Sequence, residues 1–388
     1  MKVSFFTFIL FSIFGYSQNT LKAIVVDNVD NSPLEFVGIF NTENHTVTNE
    51  DGRFQFSSSL DTITIYLVGY DKIRTTFQKV SDTVYLNKSV LKLNEVTVTN
   101  HKTLWQKIGD SIRSNYPIYP YKERFFLRGV LRYNGEITRI QDIQGKLERR
   151  TLLYTKDIVP STKDFKVELT NMRKVGLAKD ENQVYFIFET FYELFMNFTP
   201  INATGDAFNL TESTFENERK TKLGFHTKPE FINEEVKGHY IINNTNNAIE
   251  RIYMTVRYKN NPYNKDGDTR FRTVTIKKEM ALSKSSNTNK YYLANAKYEV
   301  KVEITDDQNS YTSLYDVSFI LTTTDNEGSF EVKKNVSATK DLFKINYSYD
   351  QNFWKGQNQL LLTEEMANFI ENAQDPNNEF KVKSNIKN

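Results

Sequence analysis

The sequence predicts a mainly β protein: a small N-terminal β-sandwich, then a larger domain built on an antiparallel sheet with a few helices. Three observations predict it. Short apolar stretches recur at close spacing between turn signals over 20–99, the pattern of a sandwich. Farther along, Tyr298, Val300, Val302 and Ile304 alternate with Glu299, Lys301 and Glu303, which gives one packed face and one wet face. Phe (29) and Tyr (22) are abundant, a composition that favours strands. The length, 388 residues, suits two domains. The formal charge of +2, or +1 without Lys2, leaves no basic excess, so nucleic acid is not an expected partner.

The N-terminus has the layout of a secretory signal peptide over 1–17. Lys2 is the positive end, Val3 to Phe14 is almost wholly apolar, and Gly15 and Ser17 are the small residues a peptidase reads, with cleavage between Ser17 and Gln18. The apolar run is shorter than the ~20 residues that span a bilayer, and no later run is longer, so no transmembrane segment is expected in the mature chain. With no Cys, there is neither a disulfide framework nor an N-terminal cysteine for a lipid, so a lipoprotein is not expected. The expected location is the periplasm or the outer membrane's periphery, or outside the cell.

Over 18–99 the strands are read in turn. Leu21–Asp27 is the first, Asn28–Ser32 turns the chain into Pro33, and Leu34–Phe40 is the second. Asn49-Glu50-Asp51-Gly52 is a tight turn in which Gly52 takes positive φ without cost. Arg53–Phe56 alternates as a half-buried strand, and Asp61–Val68 and Asp71–Phe77 flank a Gly69-Tyr70 turn. The run Ala23–Asp27, Ser32–Val37, Thr48–Phe54, Val68-Gly69-Tyr70 and Leu93–Val98 resembles the carboxypeptidase-regulatory-like domain of Bacteroidota envelope proteins. The resemblance implies a seven-stranded, transthyretin-like (immunoglobulin-like) β-sandwich that serves as an accessory module, and it says little about activity. The same module opens many TonB-dependent receptors, but fewer than 300 residues follow here, too few for a plug and a large barrel.

Residues 100–121 read as a linker. Leu104, Ile108 and Ile112, widened by Trp105, form one face of an amphipathic helix that Pro117 stops, and Tyr116–Tyr121 is a stiff connector. In 122–373, Phe125–Tyr133 and Glu136–Glu148 are strands joined by an Asn134-Gly135 hairpin turn. Val184, Phe188, Phe191 and Phe195 predict a helix over 183–198. Val236–Ile242, Ala248–Tyr258, Arg270–Leu282, Tyr291–Thr305 and Tyr311–Thr324 predict strands of a large antiparallel, curved sheet. Thr363–Ala373 predicts a final helix with Glu364 and Glu365 in its first turn. The polar stretch 374–388 reads as a disordered tail. Ile112–Tyr121 with Phe126-Leu127-Arg128, Lys237–Ile242 with Ala248-Ile249, and Asn352–Lys355 resemble a two-domain Bacteroidota family that carries the regulatory-like domain, with Leu127 and Gly129 where that family has Tyr and Glu. Its second domain brings no assigned chemistry.

The sequence carries few signatures of chemistry. A zinc carboxypeptidase needs His-x-x-Glu and a further His; His45, His101, His226 and His239 make neither that spacing nor His-Glu-x-x-His. His226 and His239 are placed to fall on neighbouring strands, and are read as unrelated strand residues. No serine-hydrolase elbow or phosphate loop occurs, and a cysteine nucleophile is impossible. The acid pairs Glu234-Glu235 and Asp306-Asp307 place neighbouring carboxylates on opposite faces. Asn264–Asp268 carries Ca²⁺-like oxygens, but the Asp-Gly step is read as a hairpin turn. No cofactor or metal is therefore expected. Tyr116, Tyr119, Tyr121, Tyr263 and Trp354 are candidate ligand-binding rings, since aromatic faces stack on sugars. The expected function is a non-catalytic envelope protein that binds proteins or glycans. The alternatives are a carrier of a lipid or apolar ligand in a curved-sheet pocket, and a hydrolase with an unsigned carboxylate site.

Overall fold

The computed structural model describes residues 19–89, 92–93, 103–153, 161–177, 188–199, 205–215, 219–308, 310–324, 330–373 and 382–386. The expected signal peptide with Ser17 and Gln18, the junction residues 94–98 and the first five residues of the expected 183–198 helix lie outside them.

Seven strands form two small sheets: β1 (Asn19–Asp27), β2 (Gly38–Phe40), β3 (His45–Val47), β4 (Arg53–Ser58), β5 (Thr62–Tyr66), β6 (Ile73–Thr76) and β7 (Thr83–Leu86). One sheet has the order β4-β1-β7, the other β3-β2-β5-β6. Their inward residues, among them Val25, Ile39, Phe54, Phe56, Ile65 and Leu86, make one core. Gly52 turns β4 back with φ +71°, and a Cβ there would lie 2.5 Å from the Val25 carbonyl oxygen. The expected strand Leu34–Phe40 is shorter than its apolar pattern, because Phe36 adopts a left-handed backbone, φ +58°, that no strand contains. That twist points Phe36 out of the sandwich core.

The chain then joins a second sheet through β8 (Lys92–Leu93) and crosses it with α1 (Leu104–Asn115). Thr103 and Gln106 close a capping box on α1, with Thr103 N–H donating to Gln106 Oε1 (2.8 Å). Next come β9 (Tyr121–Tyr133), β10 (Glu136–Arg149), β11 (Phe165–Leu177), α2 (Phe191–Asn197), β12 (Phe208–Phe215), β13 (Lys220–Thr227), β14 (Glu234–Asn243), β15 (Ala248–Tyr258), β16 (Asn264–Asp266), β17 (Thr269–Lys284), β18 (Tyr291–Asp306), β19 (Thr312–Thr324), α3 (Gln351–Gly356), α4 (Glu364–Asn372) and β20 (Val382–Ser384). The order is β20-β11-β10-β9-β19-β18-β17-β15-β14-β13-β12-β8, all antiparallel, with β16 paired to β17. The fold is thus mainly β with one large, unclosed antiparallel sheet and few helices. No helix among the described residues is long and apolar enough to cross a membrane.

One apolar cluster lines the inner face from β11 to β13 and receives α1 and α2; Phe165 of β11 and Phe225 of β13 belong to it together. The helix expected over 183–198 begins only at Phe191, because Thr190 and Glu193 close a capping box there, leaving Phe188 before the helix with its ring against Phe319. On β9 both faces are covered: Phe125, Leu127 and Leu131 enter the inner cluster, while Phe126, Arg128 and Val130 face outward beneath the sandwich, α3 and α4. Residues 382–386, expected within a disordered tail, instead add strand β20 to β11. The Asn385 side chain explains the docking: it accepts from Lys174 N–H (2.7 Å) and donates to the Met172 and Tyr347 carbonyls.

Candidate functional site

The sandwich docks on the outer face of the large sheet through three kinds of contact. Phe36 and Val47 meet Phe126, Ile320, Trp354 and Leu360 in a small apolar seam. Beside it, Lys297 of β18 reaches Glu35 and Glu50 of the sandwich, both at 2.9 Å, and Glu299 of its own strand at 3.6 Å. Burial, then the neighbouring Glu50 charge, outweigh the lysine and push Glu35 up to about 7. The third contact is a strip of backbone, 358–362. Thr46 Oγ1 donates to the Asn358 carbonyl (2.7 Å), Val47 N–H to Gln359 (3.4 Å) and the Asn49 side chain to Leu362 (3.2 Å). From the sheet side, Arg128 donates to the Leu360 and Leu361 carbonyls (3.2 and 2.8 Å). Arg128 itself is held by Asp142 at 2.8 Å, and Arg173 completes that buried cluster. Burial alone would raise Asp142; the two guanidiniums outweigh it and hold the carboxyl below its ordinary range.

Next to this seam the two bodies part and enclose a cleft of about 1670 Å³. The sandwich contributes β2, the 41–46 loop and the 66–72 turn, where Gly69 stands at φ +93°. The sheet contributes the ends of β13, β15, β17 and β18, and the floor includes Asn358 and Gln359. Two polar bridges tie the walls at one side. Arg251 donates to the Val68 carbonyl (3.1 Å) and pairs with Glu279. Lys220 pairs with Glu250 (2.7 Å) and donates to the Tyr66 hydroxyl (2.8 Å). Burial would lower Lys220, but Glu250 outweighs it and holds the ammonium charged. The Tyr66 ring also carries Lys72, 4.5 Å from its centroid. His45, a cleft residue, is pushed down to about 4 by burial and is neutral at pH 7.

The five aromatic residues singled out from the sequence are not brought together, and none lines this cleft. Tyr116 is a core residue: its ring is buried and its hydroxyl exchanges hydrogen bonds with the Ile249 backbone, accepting from N–H at 2.6 Å and donating to the carbonyl at 3.0 Å. Burial pushes that phenol up. Tyr119 is 74% exposed. Tyr121 lies under the Arg149 guanidinium, 5.4 Å from its ring centroid. Tyr263 donates to Glu303 and lies beneath Arg270 and Arg272. Trp354 packs edge-on against Phe126 and Phe353 in the seam. The cleft residues form no sequence signal because they lie singly in short loops and at strand ends spread over the chain; no local spacing relates Tyr66 to Lys220.

The other candidates are placed as follows. Asn264–Asp266 is strand β16, and Gly267 at φ +59° turns it into β17. His226 and His239 fall on the adjoining β13 and β14, where His226 meets Asn209 and His239 stacks on Tyr253. Among the described residues no group of three or more His, Cys, Asp or Glu side chains converges as a metal site. Glu189, beside α2, is pushed up to about 7 by burial, with Glu193 and Asp341 adding to it, and one of its carboxyl oxygens has no hydrogen-bond partner.

No family model matches the chain, and neither does any curated protein. Among solved structures, a lipovitellin structure described by its lipid–protein interactions is similar over 64% of this chain and 29% of its own, at 8% identity and a TM-score of 0.21. The chain thus spans under a third of that protein's length.

Proposed function

We propose that this chain is an exported, non-catalytic binding protein of the bacterial envelope, and that the cleft between sandwich and sheet receives a segment of a polymeric partner, protein or glycan. The observation that carries this reading is the cleft itself. At about 1670 Å³ it exceeds the ~300–1,000 Å³ typical of small-molecule pockets, and its walls come from two bodies. Its carboxylates favour binding over hydrolysis. Glu250 is paired to Lys220, Glu43 accepts from Ser58 and Ser59, and Asp71 accepts from Ser89. The Ser58 hydroxyl, then the Ser59 backbone, hold Glu43 below its ordinary range, opposite to the raised carboxyl a general acid needs.

The apolar-ligand alternative would use the inner face. There aromatic side chains fill the concavity, and a cavity inside it, lined by Tyr116, Phe198, Met280 and their neighbours, measures about 10 Å³, room for no more than one water. An acyl chain would have to part that packing. The test is binding of the full-length mature chain to immobilised polysaccharides and to an envelope protein extract, with a fluorescent fatty acid in parallel. Saturable binding to a polymer, competed by that polymer in solution, is the expected result. Fatty-acid binding with no polymer binding would overturn it in favour of the carrier.

A further inference from the structure

We infer that the cleft is built for an acidic glycan, a sugar polymer carrying carboxylate or sulfate groups; this rests on the binding reading above and specifies its ligand. Charge is the first argument. The chain as a whole is nearly balanced, 50 Lys and Arg against 48 Asp and Glu. The cleft is not: seven Lys and Arg face it, against three Asp and Glu. Each of those three acids is already engaged, as described above, whereas Arg74, Arg124 and Lys284 make no ion pair among the described residues. These three come from both walls, Arg74 from β6 of the sandwich, Arg124 and Lys284 from β9 and β17 of the sheet. All three side chains are exposed, and the Arg124 guanidinium is steadied 4.6 Å over the Phe330 ring. A concave surface with one excess sign focuses potential on an oppositely charged ligand.

The rest of the lining separates a glycan from an acidic peptide. A polycarboxylate needs donors alone. Sugar hydroxyls both donate and accept, and side-chain amides and hydroxyls do both. Asn41 and Asn44 are spent on the sandwich's own backbone and Ser58, but the side chains of Ser283, Asn358 and Gln359 also line the cleft, with Tyr292 among them.

The experiment measures affinity of the full-length mature chain for polygalacturonate, chondroitin sulfate, neutral dextran of matched length and poly-glutamate, at several salt concentrations. It repeats them with R74Q/R124Q/K284Q. The three sites are exposed, so an unchanged melting temperature checks that the variant is folded. The expected result is binding to one of the two acidic glycans, at least tenfold tighter than to dextran, weakened by salt, and reduced at least tenfold in the variant. Dextran binding as tightly, with the variant unaffected, would overturn the acidic assignment and leave the binding cleft standing. Tighter binding to poly-glutamate would overturn the glycan assignment in favour of an acidic protein. Absence of binding to every polymer and to envelope proteins would overturn both readings.

Discussion

Replacing Lys297 by Met tests whether charge holds the two bodies together. Lys297 keeps 12% of its side chain exposed and stands 2.9 Å from Glu35 and from Glu50, with Glu299 at 3.6 Å. One such pair is worth roughly 5–6 kcal/mol at an effective dielectric of about 20, before desolvation is subtracted. Removing one member of a fully buried pair costs about 3–5 kcal/mol, chiefly because the other is stranded. Here the carboxylates keep 21%, 27% and 33% exposure, so water takes up part of that cost and about 2–3 kcal/mol remains. The loss should fall on the seam. Trp354, buried against Phe126, reports it by fluorescence once Trp105 is replaced by Phe. In urea the Trp354 transition should move down by roughly 1 M. Adding E35Q and E50Q to the variant should recover most of the loss, since no stranded carboxylates remain on the sandwich. A shift below about 0.2 M, or no recovery in the triple variant, would refute the electrostatic account.

Glu35 itself gives a pH dependence. Its folded value of about 7 lies above its ordinary value, so its contribution is complete below about pH 4.5 and is lost as pH rises through 7. Glu35→Gln should therefore flatten the stability profile between pH 5 and 8, and a profile as steep as wild type would count against it. Asp142→Asn strands Arg128 and Arg173 in the interior and should cost about 3–5 kcal/mol in a denaturant titration; a loss under 1 kcal/mol would mean the cluster is wetter than its burial indicates. Gly238→Ala places a Cβ 2.1 Å from the Tyr253 carbonyl oxygen and 2.6 Å from the Phe225 ring. Because one obstacle is backbone, β14 must shift, and the melting temperature should drop by several degrees, corresponding to about 1–3 kcal/mol.

Where a local rule governs, the sequence predicts the element closely. Asn134 and Gly135 take φ +49° and +92°, the two-residue turn their identities favour, and Tyr133 pairs with Glu136 across it. The Leu104, Ile108 and Ile112 stripe is a helix face on the inner core. The misses have local causes too. In β11, Phe165, Val167 and Leu169 alternate, but Thr170 is an extra residue between the pairs Gly145–Leu169 and Gln144–Asn171, so the inner face passes to Met172, out of the period, while Val175, still in the period, packs on the outer side. His45–Val47 is three residues long, too short for any period to register. In β9 the run Phe125–Leu131 is apolar on both faces save for Arg128 and Gly129, which reads as a strand but conceals that something must cover its outer side.

What covers it also explains why the cleft cannot be read from the sequence. The strip 358–362 is bonded by consecutive carbonyls: Asn358, Gln359 and Leu362 accept from the sandwich, and Leu360 and Leu361 accept from Arg128 of the sheet. Carbonyls are the same in every residue, so this joint leaves no side-chain signature where it forms. Its one legible component is Arg128, an arginine in an apolar strand, and that residue needs Asp142 and Arg173 to stay charged in the interior. The buried cluster therefore does more than stabilise β9 and β10. It fixes the strip that the sandwich rests on, and Asn358 and Gln359 of that strip floor the cleft. A side chain buried beneath the outer face of the sheet thus sets the position of a cleft lined largely by residues far from it in sequence.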